Sequence, residues 1–243
     1  MNDNYVKLKE KATLVLRKKG IEGFIARVAC VVDISGSMSP LFKNGTVQET
    51  VERMLALGAR FDDNNAIDMF AFGKNAHDLG ELPESNFTGY VEREITNKYR
   101  LEGGTNYAPI MEMIVNKYYP NAIITRKKKL FSGGGGWSVN QVGPQGDPVY
   151  VKFVTDGDNW DKPEATKWIV ESSKLGIFWQ FVGIGKDSFS FLKKLDDMPG
   201  RFIDNANFFQ VNDITQINDD ELYERMLGEF PDWLKEAKQK NLY

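Results

Sequence analysis

The chain has one cysteine and one histidine in 243 residues. With Cys30 alone, no intramolecular disulfide can form. Its place inside an apolar run marks it as a small buried hydrophobe rather than a reactive thiol. His77 sits in the polar stretch 73–80 with no Ser or Cys nucleophile pattern near it. That isolation weakens any general-base role and suggests a surface-loop residue. No apolar run approaches the roughly 20 residues of a membrane-spanning helix, and residues 1–11 are polar and charged, unlike a signal peptide. Neither sign of charge is in excess: 31 Lys and Arg against 34 Asp and Glu give a net charge of -3. That balance gives no reason to expect nucleic acid or a membrane as partner. A cytoplasmic location is the default. The hydrophobic fraction of 42% and charged fraction of 27% fit a soluble globular protein, long enough for one sizeable domain.

The apolar pattern alternates between two periods. Tyr5, Leu8, Ala12 and Val15 recur at helical spacing among lysines, which predicts an amphipathic lead-in helix within residues 1–23. Residues 24–32 are almost continuously apolar, as in a central strand covered on both faces. Residues 46–60 predict a helix with Val47, Val51, Met54, Leu55 and Leu57 inward and a capping box of Thr46 and Glu49. Further strands are expected at 66–72, 149–155, 177–184 and 208–211, with a weaker one at 87–91. Further helices are expected at 109–118, 163–175, 189–196, 219–228 and 231–240, the last with Pro231 at its first position. Strands alternating with helices imply a mostly parallel sheet with helices on both faces, and right-handed crossovers restrict this to a doubly wound α/β fold. Residues 121–148 interrupt the pattern with a basic run at 126–129, a glycine tract at 133–136 and Trp137.

The chemistry gathers where strands end. The first apolar strand runs into Asp33-Ile34-Ser35-Gly36-Ser37-Met38-Ser39. Gly36 allows a tight loop, so that the oxygens of Asp33, Ser35 and Ser37 can converge. An all-oxygen cluster suits a hard divalent cation, Mg²⁺ above all, with Ca²⁺ or Mn²⁺ as alternatives. Ligands in open α/β sheets bind beyond the carboxyl ends of the strands. Asp156, after the strand at 149–155 and before Gly157, stands at another such end. The loop Gly103-Gly104-Thr105-Asn106 offers a hydroxyl from Thr105 ahead of a helix. Taken singly, Asp156 also reads as an ordinary turn residue, and the glycine loop as a helix cap.

Taken in order, the motifs resemble the von Willebrand factor A-type (VWA) domain, whose metal-ion-dependent adhesion site (MIDAS) follows the pattern Asp-x-Ser-x-Ser, then Thr, then Asp. Here the matching residues are Asp33, Ser35, Ser37, Thr105 and Asp156. The resemblance spans about residues 24–212, within a domain expected over 24–243. The stretch from Leu101 to Ile110 is similar to copine-type A domains and to the A domain of bacterial tellurite-resistance (Ter) cluster proteins. The phrase from Val154 to Asn159 resembles the bacterial group too. In that group the domain commonly follows another module, so the resemblance implies either a stand-alone form or an excised domain. It also implies that Ser35 and Ser37 bind the ion directly. Asp33, Thr105 and Asp156 would bind directly or through water. The remaining position on the ion would favour a partner's Asp or Glu carboxylate.

The expected function is a metal-dependent protein-interaction module, without catalysis, in a bacterial tellurite or stress-resistance system. A metal-dependent hydrolase is the alternative in another class. Bound Mg²⁺ can polarise a phosphoryl oxygen, yet no phosphate-cradling loop or placed base accompanies it. A copine-like membrane adaptor is a third. Asp158, Asn159 and Asp161 read either as holders of ordered water around the ion or as a solvated acidic loop, and Asn106 as a cap of the following helix. The insertion, with Phe131 and Trp137, is expected at the pole opposite the metal, as a second contact surface or a self-packed loop. Trp233 and Leu234 are expected to pack against the body.

Overall fold

The computed structural model describes residues 3–61, 66–126 and 136–243. In chain order its strands are β1 (Arg27–Asp33), β2 (Ala66–Phe72), β3 (Ala76–Pro83), β4 (Ile123–Arg126), β5 (Gly136–Val139), β6 (Val149–Thr155), β7 (Ile177–Ile184) and β8 (Ala206–Val211). Its helices are α1 (Asp3–Lys18), α2 (Ser39–Lys43), α3 (Thr46–Gly58), α4 (Ala108–Tyr118), α5 (Lys162–Ser172), α6 (Ser190–Asp196), α7 (Asp219–Met226) and α8 (Phe230–Gln239). The main sheet has six strands in the order β3-β2-β1-β6-β7-β8, parallel except for β3. This is the doubly wound arrangement expected. Its topological switch point falls between β1 and β6, the two strands that end in Asp33 and Thr155.

The pleat sorts side chains into two cores. Val28, Cys30 and Val32 of β1 face a cluster that includes Val51, Met54, Leu222 and Phe230. Ala29 and Val31 face the opposite cluster, with Ile110, Ile114 and Ile169 from α4 and α5. Tyr5, Leu8, Ala12, Val15 and Leu16 of α1 belong to the first cluster, so the lead-in helix shares the domain's core. Its lysines reach neighbouring acids: Lys11 meets Asp219 at 2.7 Å, and Lys18 pairs with Glu224. Cys30 is fully buried, which pushes its thiol up to about 11. Trp233 and Leu234 are buried as expected, with Trp233 stacked on Phe230.

Some local expectations are corrected. Residues 87–91 form no strand; they turn into a short π-helical stretch, Val91–Thr96. The polar segment expected as a loop around His77 is instead β3, an antiparallel edge strand. Being open on one side, it carries no continuous apolar run. Thr46 and Glu49 form no capping box. The cap is Gly45 at φ 81°, and the Thr46 amide donates to Asn44 Oδ1 at 3.0 Å. The insertion does not stay at the far pole. From its start there, β4 and β5 return as a hairpin along α5: Val139 N donates to Glu171 near the end of the helix, while Trp137 Nε1 donates to Glu164 in the first turn. Trp137 stacks on Trp168 at 3.9 Å and is covered by Lys167, which gives the hairpin an apolar seat. Most of the basic run, Phe131 and the glycines at 133–135 lie outside the described residues. Among the described residues no helix is long and apolar enough to cross a membrane.

Candidate metal centre

The DxSGS loop leaves β1 at the switch point and is fixed by backbone pairing. Gly36 N donates to Glu102 O at 2.8 Å, and Glu102 N donates to Ile34 O at 2.8 Å. The turn thereby becomes a short bridge between two loops. Asp33 is wholly buried at its base. Its Oδ1 accepts the Ser35 amide at 2.7 Å, and its Oδ2 accepts Thr155 Oγ1 at 2.7 Å. Above it, the Ser35 and Ser37 hydroxyls stand 3.1 Å apart, and Ser37 donates to Asp156 Oδ1 at 2.8 Å. Ser35, Ser37, Thr105 and Asp156 line one open cleft of about 350 Å³. All five expected residues are therefore brought to one place, four on its wall and Asp33 beneath.

Electrostatics in this cleft is unbalanced. Desolvation pushes the Asp33 carboxyl up to about 7, against hydrogen bonds from Ser35 and Thr155 that favour its anion. Burial raises Asp156 as well, opposed by Ser37. A cation would relieve both. Among the described residues no three His, Cys, Asp or Glu side chains gather to hold a metal. The donors here are two carboxylates and three hydroxyls, a set that such a grouping does not include. An all-oxygen set fits a hard divalent ion better than a soft one.

Other residues hold the loops in place. Asp161 accepts Tyr107 N at 3.0 Å and Ala108 N at 2.7 Å, capping α4 from a different loop. Asn106 does not cap that helix; its side chain donates to Lys74 O at 3.1 Å. Asn159 is buried and donates to Asp161. Asp158 binds Lys162 at 2.7 Å and Ser190 at 2.9 Å, joining the loop to α6. Tyr107 OH donates to Gly157 O at 2.7 Å, under the Asp156 turn. His77 Nε2 lies 2.7 Å from Glu102 Oε1, and its ring meets Tyr99 edge-on.

Sequence reasoning missed three residues of the site. Thr155 reads as one more strand residue, and its role depends on β1–β6 pairing. Asp187, from a fourth loop, stands beside Gly157 and lines the cleft. It follows β7 and Gly185, a strand-end signal like that of Asp156. Trp160 also lines the cleft, 70% exposed, with its amide bound to Thr105 O at 2.9 Å.

A family model for the vWA domain found in the TerF C terminus matches residues 25–143 and 137–243. The chain belongs to this vWA-TerF-like family. The chain is also similar to the uncharacterized protein YcbR of Bacillus subtilis (strain 168). It is 42% identical over 237 residues, covering 96% of this chain and 88% of the relative. The E3 ubiquitin-protein ligase RGLG1 of Arabidopsis thaliana is 26% identical over 174 residues, 67% of this chain and 33% of the ligase. Proximal thread matrix protein 1 of the mussel byssus shares the fold at a TM-score of 0.54 and 14% identity, covering 84% of this chain and 48% of that one. A second structure of that protein, with a zinc-occupied MIDAS motif, aligns at 0.51 and 15% identity over 84% of this chain and 47% of that one. This vWA-TerF-like chain thus spans about a third of the plant ligase and about half of the byssus protein.

Proposed function

We propose that this vWA-TerF-like chain is a metal-dependent interaction module. Asp33, Ser35, Ser37, Thr105 and Asp156 hold one Mg²⁺, and the ion recruits an Asp or Glu side chain of a protein partner. The observation that carries the reading is that Ser35, Ser37, Thr105 and Asp156 line one open cleft with Asp33 beneath it, bound to the Ser35 amide. The zinc-occupied MIDAS motif of the byssus protein is a precedent for a divalent ion in this fold. Mg²⁺ is favoured here by the all-oxygen donors. Neutral hydroxyls, and carboxylates already committed to hydrogen bonds, offset a double positive charge only in part, so the ion stays electrophilic. A charge-assisted contact at such a desolvated point contributes on the order of several kcal/mol. The match to the TerF-type domain is what supports the proposed role in a bacterial tellurite or stress-resistance assembly, and we propose the cytoplasm as its location.

The test is titration of the full chain with short capped peptides that carry one Asp or Glu, in Mg²⁺ and in excess chelator. Binding is expected only in Mg²⁺ and only with Asp33 intact. Undiminished binding by a folded Asp33→Ala variant in chelator contradicts the reading.

A further inference from the structure

The cleft wall carries more than the metal donors. Trp160 is the most exposed large hydrophobic side chain among the described residues, at 70%. It is nevertheless held firmly. Its amide is bound to Thr105 O at 2.9 Å, and its ring lies so close over Gly104 that a Cβ there would come within 2.9 Å of it. An indole face is therefore presented to solvent beside the metal position, fixed to the loop that supplies Thr105. A fixed, exposed Trp is the kind of side chain that anchors interfaces.

The cleft around it is acidic: Asp158 is paired with Lys162, and Glu102 is bound by His77 and Asn75, while Asp156 and Asp187 face the cleft with no ion pair among the described residues. Besides Asp156, the cleft is lined by Glu102, Asp158 and Asp187, and none of its described lining residues is basic. A partner's carboxylate that approaches the ion must therefore pass close to carboxylates of the same sign. A ligand group of opposite sign next to that carboxylate removes the penalty. It also finds a favourable surface, because the face of an indole attracts cations, and a planar guanidinium stacks on it best.

We propose that the acidic residue recruited by the ion is one with an arginine beside it, the carboxylate on the metal and the guanidinium on Trp160, in the cleft that Asp187 also lines. This rests on the metal-dependent recruitment proposed above and names its ligand: a zwitterionic Arg–Asp or Arg–Glu element rather than an isolated acid.

The experiment uses the full chain saturated with Mg²⁺ and three capped peptides identical except at the position next to a single Asp: Arg, Gln or Leu. Affinities are read by calorimetry, and Mg²⁺ affinity is measured for every protein. The Arg peptide is expected to bind about five- to tenfold tighter than the other two. Trp160→Ala, compared at the Mg²⁺ saturation set by its own measured Mg²⁺ affinity, should abolish that preference, and Trp160→Phe should keep part of it. Equal, Mg²⁺-dependent binding of all three peptides overturns the arginine preference and leaves metal-dependent recruitment standing. A preference for the Leu peptide, or an Arg preference that survives in Trp160→Ala, also overturns it. No binding of any peptide to the Mg²⁺-loaded chain removes the recruitment reading and this inference together.

Discussion

Thr155 Oγ1 donates to Asp33 Oδ2 at 2.7 Å, joining β6 to β1 at the floor of the cleft. The same hydroxyl lies 3.2 Å from Gly157 O and 3.3 Å from Tyr107 OH, so it links the DxSGS loop, the Asp156 turn and the start of α4. Thr155→Val keeps the β-branched shape and removes that link. We expect metal affinity to fall about tenfold or more, as for other side chains that orient a ligand, with a modest loss of thermal stability. An affinity equal to that of the parent would show that Asp33 is oriented without Thr155.

Acid should compete with the metal. Desolvation places the Asp33 carboxyl at about 7, so below that pH the ion must displace a proton. Affinity should fall by up to about tenfold per unit as pH drops below 7, with proton release on binding. The same shift has a consequence for the metal-free protein. Because the folded value lies above the ordinary 3.8, Asp33 favours folding when protonated, and that contribution is lost as pH rises through about 7. Calorimetry at pH 6 and pH 8 in buffers of different ionisation enthalpy reads both affinity and proton release. Equal affinity at the two values, with no proton exchanged, contradicts the assignment.

Asp161 should matter to α4 more than to the ion. Both of its oxygens accept amides at the start of that helix. Asp161→Ala is expected to cost about 1–2 kcal/mol, the range for a lost cap, and Asp161→Asn less. Chemical denaturation measures it; a loss below a few tenths of a kcal/mol would rule out the capping role.

A second acidic group gives an independent pH signature away from the cleft. Partial desolvation, then the charges of Asp196 and Asp204, push Glu229 up to about 7. Its ionisation opposes folding, so stability is lost as pH rises through about 7 and regained toward the ordinary value of 4.5. The side chain meets water over much of its surface, which reduces the effect to roughly 1 kcal/mol. Glu229→Gln should therefore melt higher than the parent at pH 8, the gap closing near pH 4.5. A parent that melts higher at pH 8 contradicts this.

The parts of the molecule that were legible in the sequence are those whose signal is local. β2, β6 and β7 coincide with predominantly apolar runs, interrupted by Asp68, Lys152 and Gln180 respectively, because both of their faces are covered. Asp33, Ser35 and Ser37 announce themselves within five residues. The pairing of β1 with β6, left conditional by the sequence, brings Asp156 to them. What escaped depends on register or on distant partners. β3 is an edge strand and lacks a buried run. Thr155 acquires its role only when β6 lies beside β1. Asp161 caps a helix that begins over fifty residues earlier, as the structure alone reveals. The hairpin of β4 and β5 turned back along α5 because Trp137 finds Trp168 and Lys167 there.

The central claim is that oxygen donors from three loops hold one divalent cation. Calorimetric titration of the metal-stripped chain with Mg²⁺, and with Mn²⁺ and Ca²⁺ alongside, tests it most directly. The account predicts a single saturable site, lost in Asp33→Ala and weakened in Asp156→Ala, with both variants folded. A well-folded parent chain that takes up none of the three ions would contradict it.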